Sequence, residues 1–364
     1  MNYSISCVMQ DSRLQKAAKV LVDYSTRVKK GDRVIISTQI GASPLALAVY
    51  QLCLERDAYP VIRCAVPGAN YVFFKYAKDH QLERFPRVAM YEMKNTDVVI
   101  HLFASFNTRE LASIDPKRIA KRAKVMNPIT RWRCNKTRWV LFDYPTRAFA
   151  QEAGMSIWEY ENFVFNAIDH DWKDFSKHLH KLAAMVNKAK HVRIVGEETE
   201  LEMTIKKGKC VTGDGICNMP GGEIFTAPDK LSVNGRIYFD FPSVRYGTVV
   251  RGVRLEFKDG RVVSATADSG QELLQEMIAM DEGSCYAGEL GIGCNYKIQQ
   301  SVNNTLFDEK IGGTIHIALG NAYPECNGKN KSALHWDLIK DLRKKGSAIY
   351  LDGKLFQKDG KFIL

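Results

Sequence analysis

RVIISTQIGASPLALAVYQLCLERDAYPVIR, residues 33–63, decides the fold of the first half of this chain. Residues 33–37 (RVIIS) form a short apolar, β-branched run of the kind that makes a buried strand. Residues 44–55 (PLALAVYQLCLE) are apolar at helical spacing and open on a proline, which suits a first helical turn. A second apolar run follows at residues 60–63. Strand, helix and strand at this spacing form a parallel crossover unit. The connecting loop TQIGASP contains neither GxGxxG nor GxxxxGK[ST], so it signals no nucleotide.

The alternation extends in both directions. Upstream, Leu14, Ala17, Ala18, Leu21, Val22 and Val28 recur at helical spacing until Gly31, a suitable helix stop. Downstream, DVVIHLF (residues 97–103) and WVLF (139–142) read as strands, separated by a helix-like stretch at 109–123. The expected fold is therefore an α/β N-terminal domain with an open, mostly parallel sheet. Helical patterns at 156–165 and 172–188 lead to His191, where the sequence changes character. We expect one domain over residues 1–190 and a mainly β (α+β) domain over 191–364. In the latter, Asn234-Gly235, Asp259-Gly260, Asp352-Gly353 and Asp359-Gly360 are favoured hairpin turn pairs, and only residues 271–280 look clearly helical. Runs such as 236–241 and 249–257 are expected to pack as a meander or a partly closed barrel.

At 364 residues the chain has room for two domains, each with its own core. Its 45% hydrophobic and 26% charged content is that of a globular protein. The net charge of +11 is spread along the chain, and the densest basic stretch, residues 117–133, reads as an exposed amphipathic helix rather than a nucleic-acid contact. No nucleic-acid partner is expected. Nine cysteines, an odd number without a CxxC pair, argue for free and mostly buried thiols. The opening MNYSISCVMQDSRLQ lacks a basic flank followed by an apolar run, and no window holds the roughly 18 apolar residues a membrane helix needs. No membrane partner and a cytoplasmic location are expected.

Four segments carry chemistry. In NMPGGEIFTAPD (218–229), Pro220, Gly221 and Gly222 break regular structure just before Glu223, although an acid after two glycines is commonly a solvated turn. In YAGELGIGCN (286–295), Glu289 is flanked by glycines of the sort tolerated where a ligand or another backbone comes close; an edge strand with a bulge is the plain alternative. GGTIHIALGNAYP (312–324) places His316 inside an apolar strand, where it needs a polar partner. In SALHWDL (332–338), His335 and Asp337 share one face of an extended segment, opposite Trp336, which is chelate geometry for one metal. His178 and His180, two apart on a helix, diverge by about 200° and read as surface residues. Together Glu223, Glu289, His316, His335 and Asp337 suit two divalent ions bridged by carboxylate and water, with zinc, cobalt or manganese compatible.

These segments resemble those of the metalloaminopeptidase family that includes aminopeptidase T, aminopeptidase S and the PepS enzymes. The family's NMPxGE and FTAP motifs correspond to residues 218–228, its GE motif to Gly288-Glu289, its LFDE, HIALG and AYP segments to 306–324, and its HxD to His335–Asp337. KKGDRVIISTQIGASPLALAVYQ (29–51) is similar to its opening α/β domain, so the resemblance runs nearly end to end. The resemblance implies that the five residues bind metal, that Tyr323 serves in catalysis, that the N-terminal domain helps to cover the active site, and that the protein is a homodimer. The implied reaction removes the N-terminal residue of peptides, with Glu223 or Glu289 carrying the proton; base and ligand are not separable at this level. A second reading is a single iron held by His316, His335 and Asp337, as in a ring-cleaving dioxygenase of the dihydroxypyridine type on the same fold. Glu223 and Glu289, for which a mononuclear triad has no evident need, weigh against it.

Overall fold

The computed structural model describes residues 11–245 and 248–363. It divides into two compact units. The first contains the described residues up to Trp172 together with Gly215–Met219; the second contains Lys173–Asp214 and the residues from Pro220 onward.

In the first unit, a helix over Ser12–Lys19 is capped by Asp11, whose carboxylate accepts from the Arg13 amide, and it runs on through a π-helical stretch, Val20–Ser25. Strands β1 (Arg33–Gln39), β2 (Tyr59–Ala65), β3 (Val98–Phe103) and β4 (Arg138–Asp143) are parallel, in the order β2-β1-β3-β4, and a short β8 (Asn218–Met219) adds in parallel to β4. The helix Ser43–Glu55 is the crossover between β1 and β2. The helical stretch expected at 109–123 begins later, as Pro116–Lys136. Asp115 caps it and Pro116 opens it, a stronger start signal than the apolar periodicity before it. This helix carries the basic stretch, and several of its charges find partners within the unit. Arg118 donates to the Phe74 carbonyl, Arg122 to that of Arg84, and Lys121 pairs with Asp79 and Glu83.

The second unit holds two larger antiparallel sheets. The first contains β5 (His191–Gly196), β6 (Thr199–Thr204), β10 (Asn234–Phe239), β13 (Val253–Lys258), β14 (Arg261–Thr266), β18 (Ala348–Leu351), β19 (Lys354–Lys358) and β20 (Lys361–Phe362), in the order β14-β13-β10-β6-β5-β18-β19-β20. The second contains β7 (Val211–Gly213), β9 (Glu223–Thr226), β15 (Ala287–Gly293), β16 (Thr314–Gly320) and β17 (His335–Asp341), in the order β17-β16-β15-β9-β7. A small hairpin pairs β11 (Ser243–Arg245) with β12 (Thr248–Val250). Both larger sheets feed one core, which also takes Leu179, Leu182, Ala183 and Val186 from the helix Trp172–Lys188 and Leu274 and Met277 from Gln271–Ile278. That packing places the helix from Lys173 onward with the second unit.

Three of the four turn pairs are hairpin tips. Asp259, Asp352 and Asp359 have φ of 50°, 49° and 48°, and the glycine after each also has positive φ, the two-residue conformation that suits the twist of the flanking strands. Asn234-Gly235 is instead the start of β10, paired with Glu202 and Leu201. A Cβ on Gly235 would lie 2.1 Å from the Glu200 carbonyl oxygen, so this glycine serves a close backbone approach, not a turn. Cys53, Cys210, Cys285, Cys294 and Cys326 are buried thiols outside any disulfide. Among the described residues no helix is long and apolar enough to cross a membrane.

Candidate metal centre

One face of the β17-β16-β15-β9-β7 sheet collects the polar residues. Its register places Glu223 of β9 between Gly213 and Gly293, and His316 of β16 across from Gly291 of β15. Glu289 and Asp337 lie on either side of Ala318, while His335 is opposite Gly320. The register shift between Ala287 and Glu289 brings Glu289 into line with this face. Small residues between the polar ones leave the space those side chains fill. A Cβ on Gly291 would sit 2.0 Å from His316 Nε2, and one on Gly213 would sit 2.8 Å from Glu223 Oε1. Alternation along β17 turns His335 and Asp337 to this face and buries Trp336 on the other, where its indole N–H donates to Ser243 Oγ at 2.7 Å.

The structure brings Glu223, Glu289, His316, His335 and Asp337 together. His316 Nε2 is 3.2 Å from Glu289 Oε1 and 3.7 Å from Glu223 Oε2. His335 Nε2 is 3.5 Å from Asp337 Oδ1 and 3.8 Å from Glu289 Oε2. The other nitrogen of His335, Nδ1, donates to the Asn321 carbonyl at 2.8 Å. That bond fixes the ring and leaves Nε2 as the ligating nitrogen, the usual support for a metal-binding imidazole. Tyr323 is at the rim, 40% exposed, with its ring centroid 4.7 Å from that of His335 and 6.0 Å from that of Phe225.

Two further residues, Glu309 and Lys310, belong to the cluster. Asp308 accepts from the Val302 and Asn304 amides and from Ser301 Oγ, which ties down the loop ahead of β16. The next two residues enter the site: Glu309, and Lys310, whose side chain is fully buried. Lys310 Nζ is 3.3 Å from Glu223 Oε1 and makes a short ion pair with Glu309. The sequence signals here are the LFDE segment, which ends in Glu309, and the polar trio Asp308-Glu309-Lys310 set between apolar Phe307 and Ile311.

The electrostatics are those of a site short of positive charge. Burial pushes Glu223 up to about 7 against the pull of Lys310, and it raises Glu289 as well. Burial alone would lower the two imidazoles. The hydrogen bond that His316 donates to Glu289 and the charges of Asp337 and Glu223 instead lift His316 to about 10, and Asp337 and Glu289 lift His335 to about 9. Glu289 Oε2, Asp337 Oδ1 and His316 Nδ1 are buried with no hydrogen-bond partner, an expensive condition for protein groups left to themselves. Ligand atoms of Glu289, His316 and Asp337 lie within 4.8 Å of one another, as do those of Glu223, Glu309 and His316. Carboxylate oxygens and imidazole nitrogens at this spacing fit a divalent cation.

A parallel α/β unit and an antiparallel β unit, the latter with carboxylates and imidazoles gathered on one sheet face, are the features of a protein with a site for a divalent cation. Residues 10–362 match the thermophilic metalloprotease (M29) family, and the chain belongs to it. Aminopeptidase 2 of Geobacillus stearothermophilus is 27% identical over 404 residues, covering 96% of this chain and 95% of that protein. The structure of wild-type AmpT from Thermus thermophilus is similar with a TM-score of 0.84 at 20% identity, over 97% of this chain and 99% of that one. That of a 2,5-dihydroxypyridine dioxygenase from Pseudomonas putida KT2440 is similar with a TM-score of 0.65 at 14% identity, over 100% and 98%. At these identities the two structures speak to the fold alone.

Proposed function

We propose that this protein is a metal-dependent aminopeptidase that removes the N-terminal residue from peptides. Beyond membership of the metalloprotease family, the observation that carries the reading is the set of buried ligand atoms on one sheet face, with Glu289 Oε2 and Asp337 Oδ1 lacking hydrogen-bond partners. Glu289, His316, His335 and Asp337 would hold one cation, and Glu223 and Glu309 face an adjacent cation position; zinc, cobalt and manganese all suit these donors. When bound, a divalent cation lowers the pKa of water and polarises a carbonyl. The work of the chain's own groups follows from their positions. Glu223 takes a proton from the attacking water and returns it to the leaving amine. Tyr323, at the rim beside His335, donates its phenol O–H to the carbonyl oxygen as that atom gains negative charge. A cytoplasmic location and a homodimer complete the proposal.

The test is cleavage of aminoacyl anilides by chelated protein with and without added metal. Glu223→Gln is expected to lose on the order of 10²- to 10⁴-fold in rate, the range for loss of a general acid–base, and His335→Ala to lose metal-dependent turnover. Wild-type rates in both variants would sink the reading. The fold similarity to the dioxygenase keeps one alternative in view, with a single iron on His316, His335 and Asp337. Oxygen uptake with ferrous iron and 2,5-dihydroxypyridine, without anilide cleavage, would establish that alternative instead.

A further inference from the structure

Resting on the metal-centre reading above, we propose that the ammonium of Lys310 is the resident cation of the Glu223/Glu309 position, so that each chain binds one exchangeable divalent ion and not two. Lys310 is fully buried, and its Nζ lies between two carboxylates, 3.3 Å from Glu223 Oε1 and in a short ion pair with Glu309. An ammonium in that place does what a metal would do there, since it neutralises the carboxylates and occupies the oxygen lone pairs turned toward it.

The imidazoles point the same way. The two clusters of potential ligands share His316, and the nitrogen it turns toward both Glu289 and Glu223 is Nε2, at 3.2 and 3.7 Å. One nitrogen lone pair serves one ion. Glu289 and Asp337, with His335 Nε2 beside both, complete a four-residue set around that nitrogen. What remains on the other side is Glu223 and Glu309, both already paired with Lys310. A second dication there would have to displace the buried ammonium or sit against it, at a like-charge cost that a low-dielectric interior magnifies. Lys310 is thus a positioning residue. It holds Glu223 beside the metal without coordinating it, which leaves that carboxylate free to carry a proton.

The test is a metal count on the full chain. Chelated protein is loaded with excess Co²⁺, freed of unbound ion by gel filtration, and analysed for cobalt per chain. One ion in the wild type and two in Lys310→Gln is the expected result. Two in the wild type would overturn the inference while leaving the metal centre intact, and one in both proteins would overturn it too, because Lys310 would then not set the count. None in the wild type would remove the metal reading itself. Lys310→Arg, which keeps the cation, should retain a count of one; a count of two there would count against the inference. Should the Gln variant not fold, the spin state of cobalt in the wild-type protein decides. An isolated high-spin Co²⁺ signal supports a single site, and a magnetically coupled pair overturns it.

Discussion

At the scale of single residues, the glycines of the site sheet matter as much as the ligands. Gly291 of β15 lies across from His316 of β16, and a methyl group there would lie 2.0 Å from both Nε2 and Cε1 of the imidazole. The ring is buried among packed strands and has no free direction in which to retreat. Gly291→Ala is therefore expected to weaken metal binding on the order of 10- to 100-fold, the range seen when the support of a metal-ligating histidine is lost. The far-UV circular dichroism should be unchanged. Titration of the chelated variant with metal measures this, and wild-type affinity would refute it. Five of the polar residues in this cluster were legible in the sequence because each interrupts an apolar or glycine-rich run, as Glu289 does in AGELGIG and His316 does in TIHIALG. Glu309 and Lys310 were not. Their meaning comes from Glu223, a residue far away in the chain, and a buried ion pair leaves no local pattern that distinguishes it from a charged surface turn.

At the scale of elements, period-two alternation was the reliable guide. It assigned His335 and Asp337 to one face of β17 and Trp336 to the other, which is how the strand lies. Turn chemistry was a weaker guide, since Asn-Gly suits a hairpin tip and also a strand that must pass close to a neighbouring backbone, as at Gly235. The loop entering β17 is fastened by Asp281. Its carboxylate accepts from the Gly283 and Ser284 amides on one side and from Ser332 Oγ and the Ala333 amide on the other. Asp281→Ala leaves those donors without their acceptor and is expected to cost about 1–3 kcal/mol, read from the urea midpoint at neutral pH. Burial pulls the Asp281 carboxyl upward, but these hydrogen bonds outweigh it and hold the folded-state pKa below the ordinary value of 3.8. Its stabilising contribution is thus fully present above that value and is lost as the pH falls through the lower folded value. The gap between wild type and variant should accordingly narrow in strong acid, and a gap independent of pH would show that the carboxylate is not the fastener.

At the scale of the whole molecule, the contrast between a parallel α/β region and a mainly antiparallel β region could be read from the order of runs. Where each helix packs could not, because an amphipathic helix such as Trp172–Lys188 shows that it buries a face without showing which sheet receives it. The second unit also gathers the carboxylates of Glu223, Glu289 and Asp337, the first two buried, within a single sheet, with Glu309 beside them. Without a metal, the folded state bears their mutual repulsion and the orphaned donor atoms, whereas the unfolded chain exposes both to water. A cation that binds only the folded chain must then stabilise it by mass action, by about 2.7 kcal/mol at a free concentration one hundred times its dissociation constant. For a domain of 150–250 residues each kcal/mol moves the melting temperature by roughly 2–4 °C, so saturating metal should raise the transition of chelated protein by about 5–10 °C. The rise should grow with the logarithm of metal concentration above saturation of the site, and it should vanish in the double variant His335→Ala, Asp337→Ala. Calorimetric scans across a metal series check both. A wild-type midpoint indifferent to metal would mean that the cluster, however well shaped, is balanced by protein charges alone.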